Sequence, residues 1–238
     1  MLSVLMPAHN ESGIIAETIN ETINTLEAVG IEYEIAVVDD GSSDGTLDQA
    51  LAVAESHPCI KILTYEENKG KGFALSYGFQ FTQGDFVLFL DADLDLPPAQ
   101  IPRFMNSLTE NNADVVIGSK RHPLSNVDYP RIRCLWSKGY GMLVKMLFNL
   151  NVTDTQVGIK MFKREVLETV LPQVKINRYA FDLAVLLGAS ERGYKIVEAP
   201  IDLNYRFSSH IEAKAIQEMF VDTLSLYRQR RFRINKQK

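Results

Sequence analysis

The chain has 238 residues, of which 46% are hydrophobic and 23% are charged. These proportions are ordinary for a single globular domain, and they exclude a disordered chain, a collagen-like repeat and a coiled coil. No stretch approaches the roughly 18 uninterrupted apolar residues of a spanning helix, and no basic signal region precedes the first apolar run. We therefore expect a cytoplasmic protein with no transmembrane segment.

The charge is distributed unevenly along the chain. The formal net charge is −5, yet residues 228–238 hold six bases and no acid, so the other 227 residues carry −11. We expect the body not to bind nucleic acid and the C-terminal segment to form a local basic patch. Cys59 and Cys134 show no metal-ligand spacing, and we expect both to be buried, reduced thiols.

Short β-rich runs alternate with longer helical patterns in the first half, which indicates βαβ units and a mainly parallel sheet. We predict strands at residues 2–6, 34–38, 60–64, 86–90 and 115–117. Between them we predict helices at residues 14–28, 46–55, 73–82 and 100–110, with Gly, Pro, Asn or Asp at many junctions.

The second half is less regular. Residues 132–150 predict a long helix that is apolar on more than one face but interrupted by Lys138 and Lys145. Such a helix either packs into the core or rests at a membrane surface, and the pattern alone does not decide. We also predict a helix at residues 180–192, a strand at 196–201 and a helix at 212–228, followed by a basic tail.

Polar residues follow three of the predicted strands. Residues 7–11 follow the first strand, residues 39–45 the second and residues 91–95 the fourth. In an open α/β sheet, ligands bind beyond the carboxyl ends of the strands, so these loops should face one crevice. Crowded carboxylates repel one another, which indicates a bound cation or extensive pairing with hydrogen-bond donors.

The loop after the fourth strand alternates Asp91, Asp93 and Asp95. If it stays extended, the three side chains point to one side, and an all-oxygen ligand set favours Mg²⁺ or Mn²⁺. The alternative is an acidic turn that caps a helix. A calcium EF-hand loop is excluded, because Leu96 stands where Gly is needed and Pro102 where Glu is needed.

A glycine-rich segment, Asn68-Lys69-Gly70-Lys71-Gly72, precedes the third predicted helix. Flexible backbone and two cations at a helix start suit contact with phosphate or diphosphate. The segment is neither a P-loop nor a GxGxxG fingerprint, since Leu75 stands where the third glycine belongs.

Four motifs in this order, PAHNE, VVDDGSSDGT, NKGKG and DADLD, resemble those of the inverting family 2 glycosyltransferases of GT-A fold, over residues 1 to about 120. Later stretches, DTQVGIKMF and RYAFD, are most similar to dolichyl-phosphate glucosyltransferases, whereas the length resembles soluble dolichyl-phosphate mannose synthases. The resemblance implies an α/β fold with a mostly parallel central sheet, helices on both faces and C-terminal amphipathic helices. It also implies one domain over residues 1–227, with a donor half up to residue 120 and an acceptor half after it.

The resemblance further implies roles for individual residues. It places the nucleotide sugar at Pro7, Ala8, Asn10, Glu11, Asp39, Lys69, Lys71, Asp91 and Arg206. It places Mg²⁺ or Mn²⁺ at Asp93 and Asp95, and the acceptor phosphate at Lys120, Arg121, Arg133 and Ser137. The implied catalytic residues are Asp91, Asp93, Arg133 and Asp182. Lys120 stands where the family usually has Arg, so either Lys120 or Arg121 meets the acceptor phosphate.

The charges indicate how such a reaction proceeds. A leaving diphosphate needs neutralisation, which a metal with Lys71 and Arg206 provides. A phosphomonoester has a second pKa of about 6, so a polyprenyl phosphate is largely dianionic and attacks without a general base. In-line displacement then inverts the anomer. A hydroxyl acceptor would require a base, for which Asp182 is the candidate, and its role as base or as orienting group stays open.

We therefore expect transfer of glucose or mannose, from UDP-glucose or GDP-mannose, to a polyprenyl (dolichyl-type) phosphate. The enzyme should lie at the cytoplasmic face of a membrane, held by the helix at residues 132–150 and by the basic tail. The alternatives are transfer to a sugar or protein hydroxyl and a catalytically silent module that binds sugar nucleotides. The presence of Asp91 and Asp93 argues against the silent module.

Overall fold

The computed structural model describes residues 1–127, 131–203 and 213–236, with the backbone alone at residues 131–138, 213–217 and 231–236. The strands are β1 (Leu2–Ala8), β2 (Tyr33–Asp40), β3 (Ile60–Tyr65), β4 (Phe86–Leu90), β5 (Val115–Ser119), β6 (Asn126–Val127), β7 (Ile159–Lys163), β8 (Ile196–Pro200) and β9 (Asp202–Leu203). The α-helices are α1 (Ile15–Val29), α2 (Thr46–Ala54), α3 (Lys71–Phe79), α4 (Ile101–Glu110), α5 (Arg131–Phe148), α6 (Arg164–Val170), α7 (Phe181–Glu191) and α8 (Ala213–Lys236). Short 3₁₀ turns lie at Pro98–Gln100 and Leu171–Gln173.

Seven strands form the central sheet, in the order β3-β2-β1-β4-β7-β5-β8. All neighbouring pairs are parallel except those of β7, which runs antiparallel to both β4 and β5. β6 and β9 form a separate two-stranded parallel ladder. β2 and β3 follow one another on one side of β1, and the chain then crosses back so that β4 lies on the other side of β1. This reversal creates a crevice between the carboxyl ends of β1 and β4, the usual ligand site of such sheets.

Helices cover both faces of the sheet, and each face has its own apolar core. On one face, α1 packs Ile15, Ile19, Ile23 and Leu26 inward at helical spacing, and it ends at Gly30 in the left-handed conformation. On the other face, side chains of α3, α5, α6 and α7 form the second core. The predicted α/β class with a mostly parallel sheet is confirmed.

The long helix α5 divides into two faces. Tyr140, Val144 and Phe148 are buried, with Tyr140 edge-on to Phe220 of α8. Met142 and Met146, one turn apart, are 74% and 75% exposed. One face is therefore core, and the other leaves apolar side chains uncovered. Within the described residues, no helix is both long and apolar enough to cross a membrane.

All five strands predicted in the first half are confirmed, and β1, β2, β3 and β5 extend further toward their carboxyl ends. Other details differ from the prediction. The pattern does not predict β6, β7, β9 or α6, and α8 continues to Lys236, beyond its predicted end at residue 228. Cys59 is a half-buried free thiol, while the side chain of Cys134 lies outside the described residues.

Candidate active site

A cleft of about 440 Å³ opens at the crevice between β1 and β4. The residues predicted for the site that line it are Pro7, Ala8, Glu11, Lys71, Asp91, Asp93 and Asp182. Further lining residues, which the motifs do not single out for a role, include Asp40, Asn68, Gln156, Arg178 and Tyr179. The first loop also contributes His9, whose Nδ1 lies 3.0 Å from the Asp40 carbonyl oxygen.

Asp40, at the end of β2, shapes the glycine-rich loop. Its Oδ1 accepts hydrogen bonds from the Lys69 amide at 2.8 Å and the Tyr65 hydroxyl at 2.7 Å, and its Oδ2 accepts one from the Gly70 amide at 2.9 Å. Gly70 has φ +93°, and a Cβ there would lie 2.6 Å from the Asn177 carbonyl oxygen. Only glycine satisfies both constraints, so Asp40 and Gly70 together fix the entry into α3.

Among the described residues, three that are predicted for the nucleotide sugar do not line the cleft. Asp39 is 3% exposed and accepts from the Thr64 hydroxyl at 3.0 Å. Asn10 Oδ1 accepts from the Ser43 amide at 2.9 Å and thereby joins the first two loops. The Lys69 ammonium lies 4.9 Å from the centroid of the Phe73 ring, a cation–π distance. In this structure these side chains support the loops around the cleft.

The loop after β4 turns sharply, so the condition under which the three carboxylates would point to one side, an extended Asp91–Asp95 segment, is not met. Leu94 is 1% exposed and adopts φ +59°, because its side chain packs into the core while the chain reverses. The Asp95 amide donates to Asp93 Oδ1 at 3.1 Å. Asp91 and Asp93 line the cleft, and Asp95 does not.

Asp91 is held from two sides. Its Oδ1 lies 2.5 Å from the Lys71 ammonium, and its amide donates to the Gly158 carbonyl at 3.1 Å. A Cβ at position 158 would lie 1.9 Å from Asp91 Oδ2, so the glycine of the DTQVG stretch makes room for the carboxylate. Burial lowers the pKa of Lys71, but the charge of Asp91 outweighs it and raises the pKa above its ordinary value.

The carboxylates of the cleft crowd one another. Burial, followed by the charges of Asp91 and Asp95, raises the pKa of Asp93 to about 7. Burial and the nearby charge of Asp91 likewise raise the pKa of Glu11 to about 7. A bound cation would relieve this repulsion between the carboxylates.

The protein groups fit a cation that is shared with a substrate. Among the described residues, no three acidic, histidine or cysteine side chains are arranged to hold a metal ion by themselves. Mg²⁺ is commonly bound by one or two carboxylates together with substrate phosphates, and Asp91 and Asp93 match that arrangement.

Asp182, at the start of α7, forms a buried ion pair with Lys160 of β7. Lys160 Nζ lies 2.7 Å from Asp182 Oδ1 and also donates to the Val157 carbonyl. Burial raises the pKa of Asp182, but the charges of Lys160 and Lys71 outweigh it and lower the pKa below its ordinary value. A carboxylate held in this way is a weak proton acceptor, so the geometry favours an orienting role over that of a general base.

Two residues predicted for the acceptor phosphate, Lys120 and Arg121, lie outside the cleft. Lys120 Nζ is 3.4 Å from Asp154 Oδ2, and the Arg121 guanidinium packs where a side chain at Gly141 would lie. Arg133 and Ser137 belong to α5, but their side chains lie outside the described residues, and Arg206 lies outside them entirely.

The fold defines a class of proteins, the glycosyltransferases of GT-A fold. Glucosyl-3-phosphoglycerate synthase of Mycobacterium tuberculosis, crystallised with UDP, superposes with a TM-score of 0.72 at 19% identity, over 95% of this chain and 80% of that one. A crystal structure of the same enzyme with Mn²⁺, UDP and glucosyl-3-phosphoglycerate gives 0.71 at 22% identity, over 95% and 79%. Mannosyl-3-phosphoglycerate synthase of Rubrobacter xylanophilus gives 0.72 at 22% identity, over 100% and 75%.

The sequence profile described as Glycosyl transferase family 2 matches residues 3–171, and the chain belongs to that family. It is therefore a glycosyltransferase. A dolichyl-phosphate beta-glucosyltransferase of Trichomonas vaginalis is 30% identical over 234 residues, which cover 93% of this chain and 69% of the relative. That of Dictyostelium discoideum is 30% identical over 214 residues, 84% of this chain and 65% of the relative. The glycosyltransferase AglD of Haloferax volcanii is 30% identical over 203 residues, 84% of this chain and only 32% of the relative.

Proposed function

We propose that this enzyme transfers glucose or mannose, from UDP-glucose or GDP-mannose, to a polyprenyl phosphate of the dolichyl type, with inversion at the anomeric carbon. The observation that carries the proposal is the pairing of Asp91 with Lys71 beside the crowded carboxylates of Asp93 and Glu11. This arrangement suits a bound diphosphate and its cation. The names of the two eukaryotic relatives supply the acceptor class.

At the donor end, the loops after β1 and β2 and the glycine-rich loop would enclose the nucleotide. Asp91 and Asp93 would hold Mg²⁺ or Mn²⁺, and Asp95 adds negative charge behind them. A bound divalent cation neutralises the charge that develops on a leaving diphosphate. Lys71, held in place by Asp91, would contact the diphosphate from the side of α3. In this proposal Arg206 also closes over the donor phosphates.

At the acceptor end, the phosphate is both nucleophile and anion. A polyprenyl phosphate is largely dianionic at neutral pH, so cations that orient it are needed more than a base. We assign that task to Lys120, Arg121, Arg133 and Ser137. The low pKa of Asp182 agrees with this mechanism, because an orienting carboxylate suffices when no proton has to be removed.

A lipid acceptor has to be met at a membrane surface. The exposed Met142 and Met146 of α5 offer apolar side chains for such a contact. The bases at the end of α8 offer attraction to anionic headgroups. We therefore assign the enzyme to the cytoplasmic face of a membrane, as a peripheral protein.

The test is a product assay with labelled UDP-glucose and GDP-mannose, each offered with dolichyl phosphate and Mn²⁺. We expect one donor to yield a glycosyl phospholipid with inverted anomeric configuration, detected by chromatography and NMR. Asp93→Asn should lose this product, while Arg192→Ala, an exposed change at the end of α7, should keep it. Transfer only to a sugar or protein hydroxyl would overturn the lipid acceptor.

A further inference from the structure

A chain of three hydrogen bonds links the cleft to the interface between α5 and α8. Gln156 lines the cleft, and its Nε2 lies 3.4 Å from the Tyr140 hydroxyl. That hydroxyl lies 3.0 Å from Thr223 Oγ1, and Thr223 Oγ1 donates to the Met219 carbonyl at 2.7 Å. Tyr140 is 5% exposed and Thr223 is fully buried, so water does not compete for these groups.

The direction of each bond follows from the number of protons. Thr223 has one hydroxyl proton, which it gives to the Met219 carbonyl, so Tyr140 has to donate to Thr223. The Tyr140 oxygen is then left with lone pairs only, and the group that meets it has to be the NH₂ of Gln156. Burial raises the pKa of Tyr140, so the phenol keeps its proton at neutral pH.

The amide of Gln156 is therefore oriented by the two helices. Its backbone is also fixed, because the Gln156 amide N–H donates to Asp154 Oδ1 at 3.2 Å. With one Nε2 proton committed to Tyr140, the amide oxygen and the second Nε2 proton are left to meet a ligand. A distance of 3.4 Å makes the bond to Tyr140 long, so its main effect is to set direction rather than to add stability.

The amide oxygen accepts a hydrogen bond and the second Nε2 proton donates one, so a ligand that uses both has to offer a proton as well as a lone pair. Phosphate oxygens of a nucleoside diphosphate offer only lone pairs at neutral pH, whereas a hexose hydroxyl offers both. We propose that Gln156 contacts the transferred hexose through a hydroxyl that donates to its amide oxygen, and that Tyr140 is the positioning residue for this contact. The inference rests on the proposed function, because it takes a nucleotide sugar as the ligand of the cleft.

Three variants probe the contact and one serves as control. Gln156→Leu removes the acceptor, and Tyr140→Phe removes the group that orients it. Thr223→Val keeps Tyr140 but removes the acceptor of its hydroxyl proton. That proton can then be donated to the Gln156 amide oxygen, which requires the amide group to rotate by about half a turn. Tyr227→Phe is the matched control, because Tyr227 packs edge-on to Phe148 in the same helix interface, without a role in the chain of bonds.

Binding is measured by calorimetry in the presence of Mn²⁺. The ligands are the nucleotide sugar that binds, either UDP-glucose or GDP-mannose, its nucleoside diphosphate, and its monodeoxy analogues. We expect the wild type to bind one deoxy analogue about tenfold more weakly than the parent, the size of one net hydrogen bond. The three variants should lose that discrimination and keep their affinity for the nucleoside diphosphate. Tyr227→Phe should match the wild type.

Three results would overturn the inference. The first is discrimination against the deoxy analogues that is undiminished in Gln156→Leu and Tyr140→Phe. The second is a wild type that discriminates against none of the analogues. The third is an equal loss of nucleoside diphosphate affinity in the variants, which would assign Gln156 to the nucleotide or its cation. Donor binding is measured without an acceptor. A wild type that fails to glycosylate dolichyl phosphate would therefore contradict the proposed function, while the binding experiment could still be interpreted.

Discussion

Lys160 Nζ lies 2.7 Å from Asp182 Oδ1, and the two side chains are only 2% and 8% exposed. Lys160 belongs to β7, where it stands between Phe89 of β4 and Ile117 of β5. Its ammonium has no route to bulk water and depends on Asp182 and the Val157 carbonyl. The pair thereby fixes a carboxylate of the cleft to the sheet itself.

Lys160→Met should lower the free energy of unfolding by about 3–5 kcal/mol, because it leaves the buried Asp182 carboxylate without its ion-pair partner. Lys163→Met is the matched control. Lys163 lies on the same strand, and its Nζ is also 2.7 Å from a carboxylate, that of Asp114, but the two side chains are 30% and 21% exposed. It should cost about 1 kcal/mol or less. Urea unfolding measures the free energy of unfolding of both variants. An equal decrease in the two would contradict the importance of burial.

The sequence predicts the donor half of the fold well, because local patterns decide it. Apolar runs such as FVLFL are long enough to be buried strands, and the polar residues after them fall at the carboxyl edge of a parallel sheet. β7 escapes this logic, because its sequence IKMFK contains Lys160 and Lys163 and is not an uninterrupted apolar run. Lys160 is acceptable in a core because Asp182 of α7 and the Val157 carbonyl pair with it, and no local pattern predicts that pairing.

The finer geometry of the site depends on contacts between distant residues. The alternation of Asp91, Asp93 and Asp95 would bring the three carboxylates together only in an extended loop, but the chain turns at the buried Leu94 and Asp95 lies outside the cleft. The role of Asp40 depends on amides about 30 residues later, at Lys69 and Gly70. Such relations have no local pattern, so the motifs alone identify residues without assigning their contacts.

Loss of the cation should stop the reaction. Asp93→Asn is expected to reduce kcat by about a thousandfold, since stabilisation of the leaving diphosphate is worth several kcal/mol. EDTA should abolish wild-type turnover, and added Mg²⁺ or Mn²⁺ should restore it. Asp95→Asn, at a position outside the cleft, should reduce kcat far less than Asp93→Asn does. Full activity in EDTA would contradict the metal requirement.

The stability of the metal-free protein should fall as pH rises. Glu11 and Asp93 have pKa values of about 7 in the folded state, above their ordinary 4.5 and 3.8. Between these values the folded chain binds protons that the unfolded chain does not, so the stability they contribute is lost as pH rises through about 7. Mn²⁺ removes the repulsion, so it should raise Tm more at about pH 7.5 than at about pH 5.5.

Asp93→Asn supplies the control for this effect. Without metal it should have a higher Tm than the wild type at about pH 7.5, because one of the repelling charges is gone. The gain from Mn²⁺ should shrink in the same variant. Thermal unfolding at the two pH values measures both changes. A metal-free Tm that rises with pH across this window would contradict the assigned crowding.

Recognition of the acceptor should be separable from binding of the donor. Arg133→Ala is expected to raise the KM for the lipid phosphate by about tenfold or more, since a charge-assisted hydrogen bond contributes roughly 1.5–3 kcal/mol. Its affinity for UDP or GDP should stay unchanged in calorimetry. Arg192→Ala removes an exposed arginine elsewhere and should change neither quantity. An equal loss of nucleotide affinity would assign Arg133 to the donor site or to the fold.

Membrane attachment should depend on both apolar contact and charge. Met142 and Met146 project from the face of α5 opposite its buried residues, so replacing both with Gln should weaken binding to vesicles. Arg228 is exposed near the end of α8, whereas Arg230 is paired with Glu191. Each base near an anionic surface contributes about 1 kcal/mol, so Arg228→Gln should weaken vesicle binding about fivefold at low salt.

Vesicle sedimentation with and without anionic lipid measures this attachment. Lys175→Gln, the same change of charge at an exposed position after α6, should leave binding unchanged. Because salt screens exposed charges, the difference between Arg228→Gln and the wild type should vanish at about 1 M salt, while the effect of the methionine variant should persist. If Arg228→Gln and Lys175→Gln weaken vesicle binding equally, the attachment depends on net charge and not on the position of Arg228. If the wild type does not bind vesicles, the membrane surface is removed from the proposed function, and transfer to a sugar or protein hydroxyl is favoured.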